Sequence, residues 1–106
     1  MPQYTILTTR EFEKEFQKLD AEIQERFRKQ FQRLETEPYF VGKPLQGTKW
    51  FRELKNIKFR AYYLVYDTHV LVLLAGVSEK KDQQKTINTI SNELGELNEL
   101  VINRKY

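Results

Sequence analysis

Apolar residues fall on two different periods along this chain. From Arg10 to Leu34 they recur every three or four positions, as Phe12, Phe16 and Leu19 and then Ile23, Phe27, Phe31 and Leu34, with Glu, Lys and Arg between them. That spacing is one face of an amphipathic helix, so the stretch predicts an α-hairpin or one kinked helix. Thr8 and Glu11 have the S/T-x-x-E spacing of a capping box for the first helix, and Asp20 is placed to cap the second. Pro38 ends it. Ahead of the helices, Tyr4 to Thr8 has the aromatic and β-branched content of a short strand.

Past Trp50 the period becomes two. Trp50 to Lys55, Phe59 to Tyr66 and Val70 to Val77 are aromatic and β-branched, with short polar breaks, and predict a three-stranded meander. In the second strand Phe59, Ala61, Tyr63 and Val65 form an apolar face expected to pack on the N-terminal helices, leaving Arg60 on a basic concave face. Both faces of Val70 to Val77 are apolar, which predicts an interior strand. Between helices and meander, Pro38 to Lys49 holds two prolines and two glycines and reads as a loop, anchored by Phe40, Val41 and Leu45. Ser78 or Asp82 opens a last helix carrying Ile87, Ile90, Leu94 and Leu97, weakened at Gly95. The order is β-α-α-β-β-β-α: one α+β domain over residues 1–106, with a small, mostly antiparallel sheet packed on two N-terminal helices.

Composition narrows the chemistry. Zero cysteines and the single His69 argue against a zinc site, a thiol nucleophile or any disulfide, and no cofactor or metal is expected. No apolar run spans a bilayer and residues 1–9 lack a signal-peptide pattern, so a cytoplasmic protein with no membrane partner is expected. The net charge of +3 conceals an asymmetry. Residues 41–85 hold nine basic side chains against four acidic, while the segments on either side are each −1. That suits a polyanionic partner, nucleic acid first, or an acidic protein.

The strings Pro44-Leu45-x-Gly47, Phe51-Arg52-Glu53-Leu54-Lys55 and Phe59-Arg60-Ala61-Tyr62-Tyr63, followed by an apolar strand ending in Gly76, resemble the RelE/ParE superfamily of toxins from toxin–antitoxin pairs. The resemblance implies a small curved sheet with two N-terminal helices packed on it, and a cognate antitoxin. In the RelE branch it also implies a toxin that inhibits translation by cleaving mRNA on the ribosome. The ParE branch instead implies a contact inhibitor of DNA gyrase, and a degenerate toxin that only binds its antitoxin is a third reading. By position, Arg52 and Arg60 match basic positions on the first two meander strands, and Lys55 matches another if its strand is shifted. Ser78 stands about where that family has an Arg, and Gln84 about where it has a Tyr. Lys80 and Lys81 resemble the Lys-Lys pair of the HigB-like branch.

Metal-free RNA cleavage needs cations aimed at the charge of a phosphorane, and Arg suits phosphate because its planar fork donates two hydrogen bonds. The candidate catalytic residues are therefore Arg60, Arg52, Lys80 and Lys81. Lys55, Lys58 and Tyr62 are candidates for RNA binding, since cations hold phosphates and aromatic faces stack on unpaired bases. Each has a structural counterpart: an ion pair between Arg60 and Glu53, a solvated edge for Arg52, a solvated turn for Lys80 and Lys81, and a core position for at least one of Tyr62, Tyr63 and Tyr66. His69 follows Asp67-Thr68 in a hairpin turn and is a candidate general base by residue type, but a turn is expected to lie far from the basic cluster.

Overall fold

The computed structural model describes residues 3–103. Strand β1 (Thr5–Thr8) leads into helices α1 (Arg10–Gln17) and α2 (Ala21–Leu34) and the single turn α3 (Pro38–Val41). A two-residue strand, β2 (Lys43–Pro44), precedes the meander β3 (Phe51–Asn56), β4 (Phe59–Tyr66) and β5 (Leu71–Glu79), and two helices follow, α4 (Gln83–Asn92) and α5 (Leu94–Ile102). The sheet runs β1-β5-β4-β3-β2, with β1 parallel to β5 and every other pair antiparallel. The predicted α+β class and its mostly antiparallel sheet are what the structure shows.

Both faces of the sheet are covered, not one. Phe12, Phe16, Ile23, Phe27 and Leu34 of α1 and α2 pack on Leu54, Ala61, Tyr63, Val65, Val72, Leu74 and Val77. Ile87, Ile90 and Val101 of α4 and α5 close the opposite face against Tyr62, Leu64, Leu71, Leu73 and Ala75. A register shift at Tyr62/Tyr63 explains how β5 serves both cores. The extra residue exchanges the two sides of the strand, so Val72 and Leu74 before it share a core with Val77 after it.

Several local expectations are corrected. The cap of α1 is Thr9, not Thr8: its Oγ1 accepts the Phe12 N–H at 3.1 Å. Asp20 stands at the start of α2 without a side-chain cap bond. The last helix is broken at Glu93 into α4 and α5. In the predicted loop Leu45 is buried, whereas Phe40 is 84% exposed and anchors nothing.

Helix α5 is held to β4 partly by the Tyr66 hydroxyl, which donates to Asn98 Oδ1 at 2.7 Å. Burial pushes the Tyr66 phenol up to about 12, because the phenolate would lose its hydration. A group that holds its proton more tightly folded than unfolded lends stability that is lost as pH rises from about 10 toward 12. Urea denaturation at pH 8 and pH 11 should therefore show a smaller alkaline loss for Tyr66→Phe than for the wild type, with about 1 kcal/mol lost at pH 8 for the hydrogen bond.

Candidate nucleic-acid interface

At the β3–β4 hairpin end of the sheet a carboxylate is buried among polar groups. Glu53 lies on β3 with 2% of its side chain exposed. Lys43 Nζ of β2 stands 3.4 Å from its Oε2, Arg60 Nε of β4 stands 3.9 Å from Oε1, and Gln83 Nε2 at the start of α4 donates to Oε1 at 2.7 Å. Burying an ionised carboxylate costs several kcal/mol unless partners replace water, and here three elements supply them. Strand register sets the arrangement: Lys43 is directly opposite Glu53, and Lys55 directly opposite Arg60.

Arg60 is corrected from an exposed cation to a buried one. It is 5% exposed, and its Nη1 donates to the carbonyls of Ile57 and Phe59 at 3.1 and 3.0 Å, clamping the turn where Ile57 has a positive φ of 53°. It is the Glu53 partner that the alternative reading foresaw. Its guanidinium still forms part of the floor of an open groove of about 580 Å³, bounded by Lys43, Lys55, Lys80, Glu53 and Gln83. Four cations against one carboxylate give that groove a local charge of +3. Lys55 and Lys80 are exposed there, and neither is ion-paired among the described residues.

Arg52 is not in the groove. It is opposite Tyr63 on the face that meets α1 and α2, 6% exposed, so β3 turns it away from both Arg60 and Lys55. Lys55 reaches the Arg60 side with no shift of the strand, since it is three positions, an odd number of steps, from Arg52. Arg52 Nε donates to the Tyr63 hydroxyl at 3.2 Å, Nη1 to Lys49 O at 3.1 Å, and Nη2 to Tyr39 O and Gly42 O, each at 2.7 Å. The guanidinium also lies 5.7 Å from the centre of the Tyr39 ring. It binds the loop onto the sheet. Gly42 fits there because a Cβ would stand 2.5 Å from Glu53 O and 2.7 Å from the Tyr63 hydroxyl.

Tyr62 is fully buried and its hydroxyl meets Ser78 Oγ at 2.8 Å, so it offers no face to a base. Burial raises its pKa above the ordinary value for a phenol. Ser78 is thereby occupied within the sheet, while Gln84 is exposed on α4 and donates to Asn88. Lys58 and Lys81 converge on Glu79 at 3.5 and 4.0 Å, outside the groove. His69 sits at the far end of β4, seven residue steps or roughly 23 Å from the hairpin that carries the cations. Sequence reasoning missed Lys43 and Gln83; the available signal was an acid, Glu53, in a strand whose neighbours are otherwise buried.

No protein-family model and no curated protein matches the sequence. Solved structures do. The intact E. coli RelBE toxin–antitoxin complex contains a chain superposable with a TM-score of 0.66 at 23% identity, over 72% of this chain and 95% of that one. The chain has the RelE fold. RelBE2 of Mycobacterium tuberculosis gives a TM-score of 0.64 at 27% identity, covering 74% of this chain and 93% of its counterpart. The archaeal RelE–RelB complex from Pyrococcus horikoshii gives 0.64 at 19%, covering 73% and 94%. These likenesses are of fold, and the antitoxin chains belong to the neighbours' own complexes.

The RelE-like scaffold thus divides its expected site residues into structural and groove groups. Arg52→Ala should lose about 2–4 kcal/mol in urea denaturation, because three carbonyls are left without their donor. Lys55→Ala, which empties no buried contact, should stay within about 0.5 kcal/mol of the wild type.

Proposed function

We propose that this RelE-like chain is a toxin whose antitoxin covers it, and that it cleaves mRNA on the ribosome, in the cytoplasm, through the groove beside Glu53. The observation that carries the reading is the set of exposed cations, Lys43, Lys55 and Lys80, around one open groove of a RelE fold. Cations spaced along a groove follow a phosphate backbone, and single-stranded RNA is flexible enough to enter.

In this reading Lys55 from β3 and Lys80 from the β5–α4 turn meet the scissile phosphate. Arg60, whose Nη2 has no hydrogen-bond partner among the described residues, adds a donor from below. As the 2′-hydroxyl gives its proton to solvent water and its oxygen bonds to phosphorus, the extra negative charge develops between these cations; an ammonium protonates the leaving 5′-oxygen as the P–O5′ bond breaks, leaving a 2′,3′-cyclic phosphate, and regains its proton from water. Glu53 is held by Lys43, Arg60 and Gln83 and acts as organiser, not as base. Catalysis then relies on charge stabilisation and on the ribosome holding the mRNA in an attacking geometry. Lys58 and Lys81 extend the basic rim, and Arg52 and Tyr62 support the fold.

Ser78 and Gln84, where the family resemblance puts Arg and Tyr, favour a second reading: a toxin acting by contact alone on a target such as gyrase, or one retaining only antitoxin binding. Induced expression with mapping of mRNA ends separates them. The wild type should cut mRNA within codons, Lys55→Ala/Lys80→Ala should lose about a hundredfold or more of that cutting while keeping its circular dichroism spectrum, and Lys81→Ala should cut nearly as well as the wild type. Growth arrest without new mRNA ends would establish the contact inhibitor.

A further inference from the structure

The interior strand β5 has one open half-edge. Its pairing with β1 ends where Thr8 meets Leu74, and after the Thr9 N–H donates to Leu74 O at 3.1 Å the chain turns away into α1. Of the remaining five residues, Ala75 is the bulged one, without a β4 partner, and Gly76–Glu79 are paired only with β4. Strand parity shows which groups are left. Lys80 N–H donates to Lys58 O at 2.6 Å, which points the even-numbered residues of this half toward β4 and the odd-numbered ones outward. The Thr9 hydroxyl reaching Ala75 O at 3.5 Å agrees. The N–H and C=O of Val77 and the N–H of Glu79 therefore face away from β4, with no hydrogen-bond partner on that side among the described residues, while the Glu79 carbonyl opens the 3-10 turn Lys80–Asp82.

Val77 and Glu79 line a half-open cleft of about 650 Å³, walled by α1 on one side and by α4 on the other. Unpaired backbone in a cleft forgoes part of its hydration, and a strand laid alongside would satisfy it. Helical walls on both sides favour one extended segment over a preformed sheet such as a second copy of this chain would bring. They are also acidic: Glu11, Glu15, Asp82 and Glu93 stand against Lys18 and Lys85, and Lys18 is already paired with Glu15 at 3.4 Å. In a chain of net charge +3 this cleft is a negative pole.

We propose that the β5 edge at Val77 and Glu79 captures a basic, extended peptide segment of a protein partner, which adds to the sheet in line with β1. The backbone of the segment pairs with Val77 and Glu79. Its alternate side chains lie toward the two helical walls, where Lys or Arg meets the carboxylates. The inference stands on strand pairing and charge and does not depend on ribonuclease activity.

A seven-residue capped peptide alternating Lys and Val serves as probe, with an alternating Glu and Val peptide and an N-methylated Lys and Val peptide as controls. Amide hydrogen exchange of the full chain, followed by NMR, should show the Val77 and Glu79 amides slowed at least tenfold by the basic peptide alone. Glu11→Lys/Glu15→Lys should weaken that binding at least tenfold, and Glu93→Lys, on the opposite wall, should weaken it in the same direction should the first variant fold poorly. Absence of binding, binding that leaves both amides unprotected, or equal binding of the acidic peptide would overturn the proposal.

Discussion

A carboxylate with almost no exposed surface organises one end of this molecule. Glu53 is tolerated because Lys43, Arg60 and Gln83 replace the water it lost, and each comes from a different element. Removing one member of such a buried set typically costs about 3–5 kcal/mol, because the charge left behind has no compensation. The opposite face of the sheet contributes to the same arrangement. Arg52 draws Tyr39 O and Gly42 O onto β3, and the absent Cβ of Gly42 lets β2 approach Glu53 closely enough for Lys43 to reach it. The arginine that faces away from the groove thus helps shape it.

The consequence for function is a division among cations. Arg52 and Arg60 combine burial with several protein hydrogen bonds, whereas Lys43, Lys55 and Lys80 keep exposed ammonium groups around an open groove. An exposed lysine loses little when it meets a phosphate, while a buried arginine already bonded to carbonyls has few donors left to give. The acidic cleft beside the outer half of β5 is the counterpart of this groove, so the small domain presents opposite charges on different sides of its sheet.

The elements were legible because period and punctuation agree locally. The 3.6-residue stripe through Phe12 and Phe27 gave α1 and α2, and alternation in Phe59 to Tyr66 gave β4 with its bounds. Burial was harder to read. Alternation placed Arg60 opposite the apolar face but carried no sign that α4 and α5 would cover much of that side, since a helix pattern does not say against which surface it packs. The bulge at Tyr62/Tyr63 and the two residues of β2 have no periodic signature, and without β2 the link from Lys43 to Glu53 was invisible. Among the site residues, strand parity alone already separated Arg52 from Lys55, while only tertiary packing could show Tyr62 bonded to Ser78 inside the sheet.

The most direct test of this account is a double-mutant cycle on Glu53→Gln and Arg60→Gln, measured by urea denaturation at neutral pH. If the buried pair organises the hairpin end, each single substitution destabilises strongly and the double variant loses less than the sum of the two, with a coupling of about 1 kcal/mol or more. Two losses that add to within about 0.5 kcal/mol would contradict it, since independent residues behave that way.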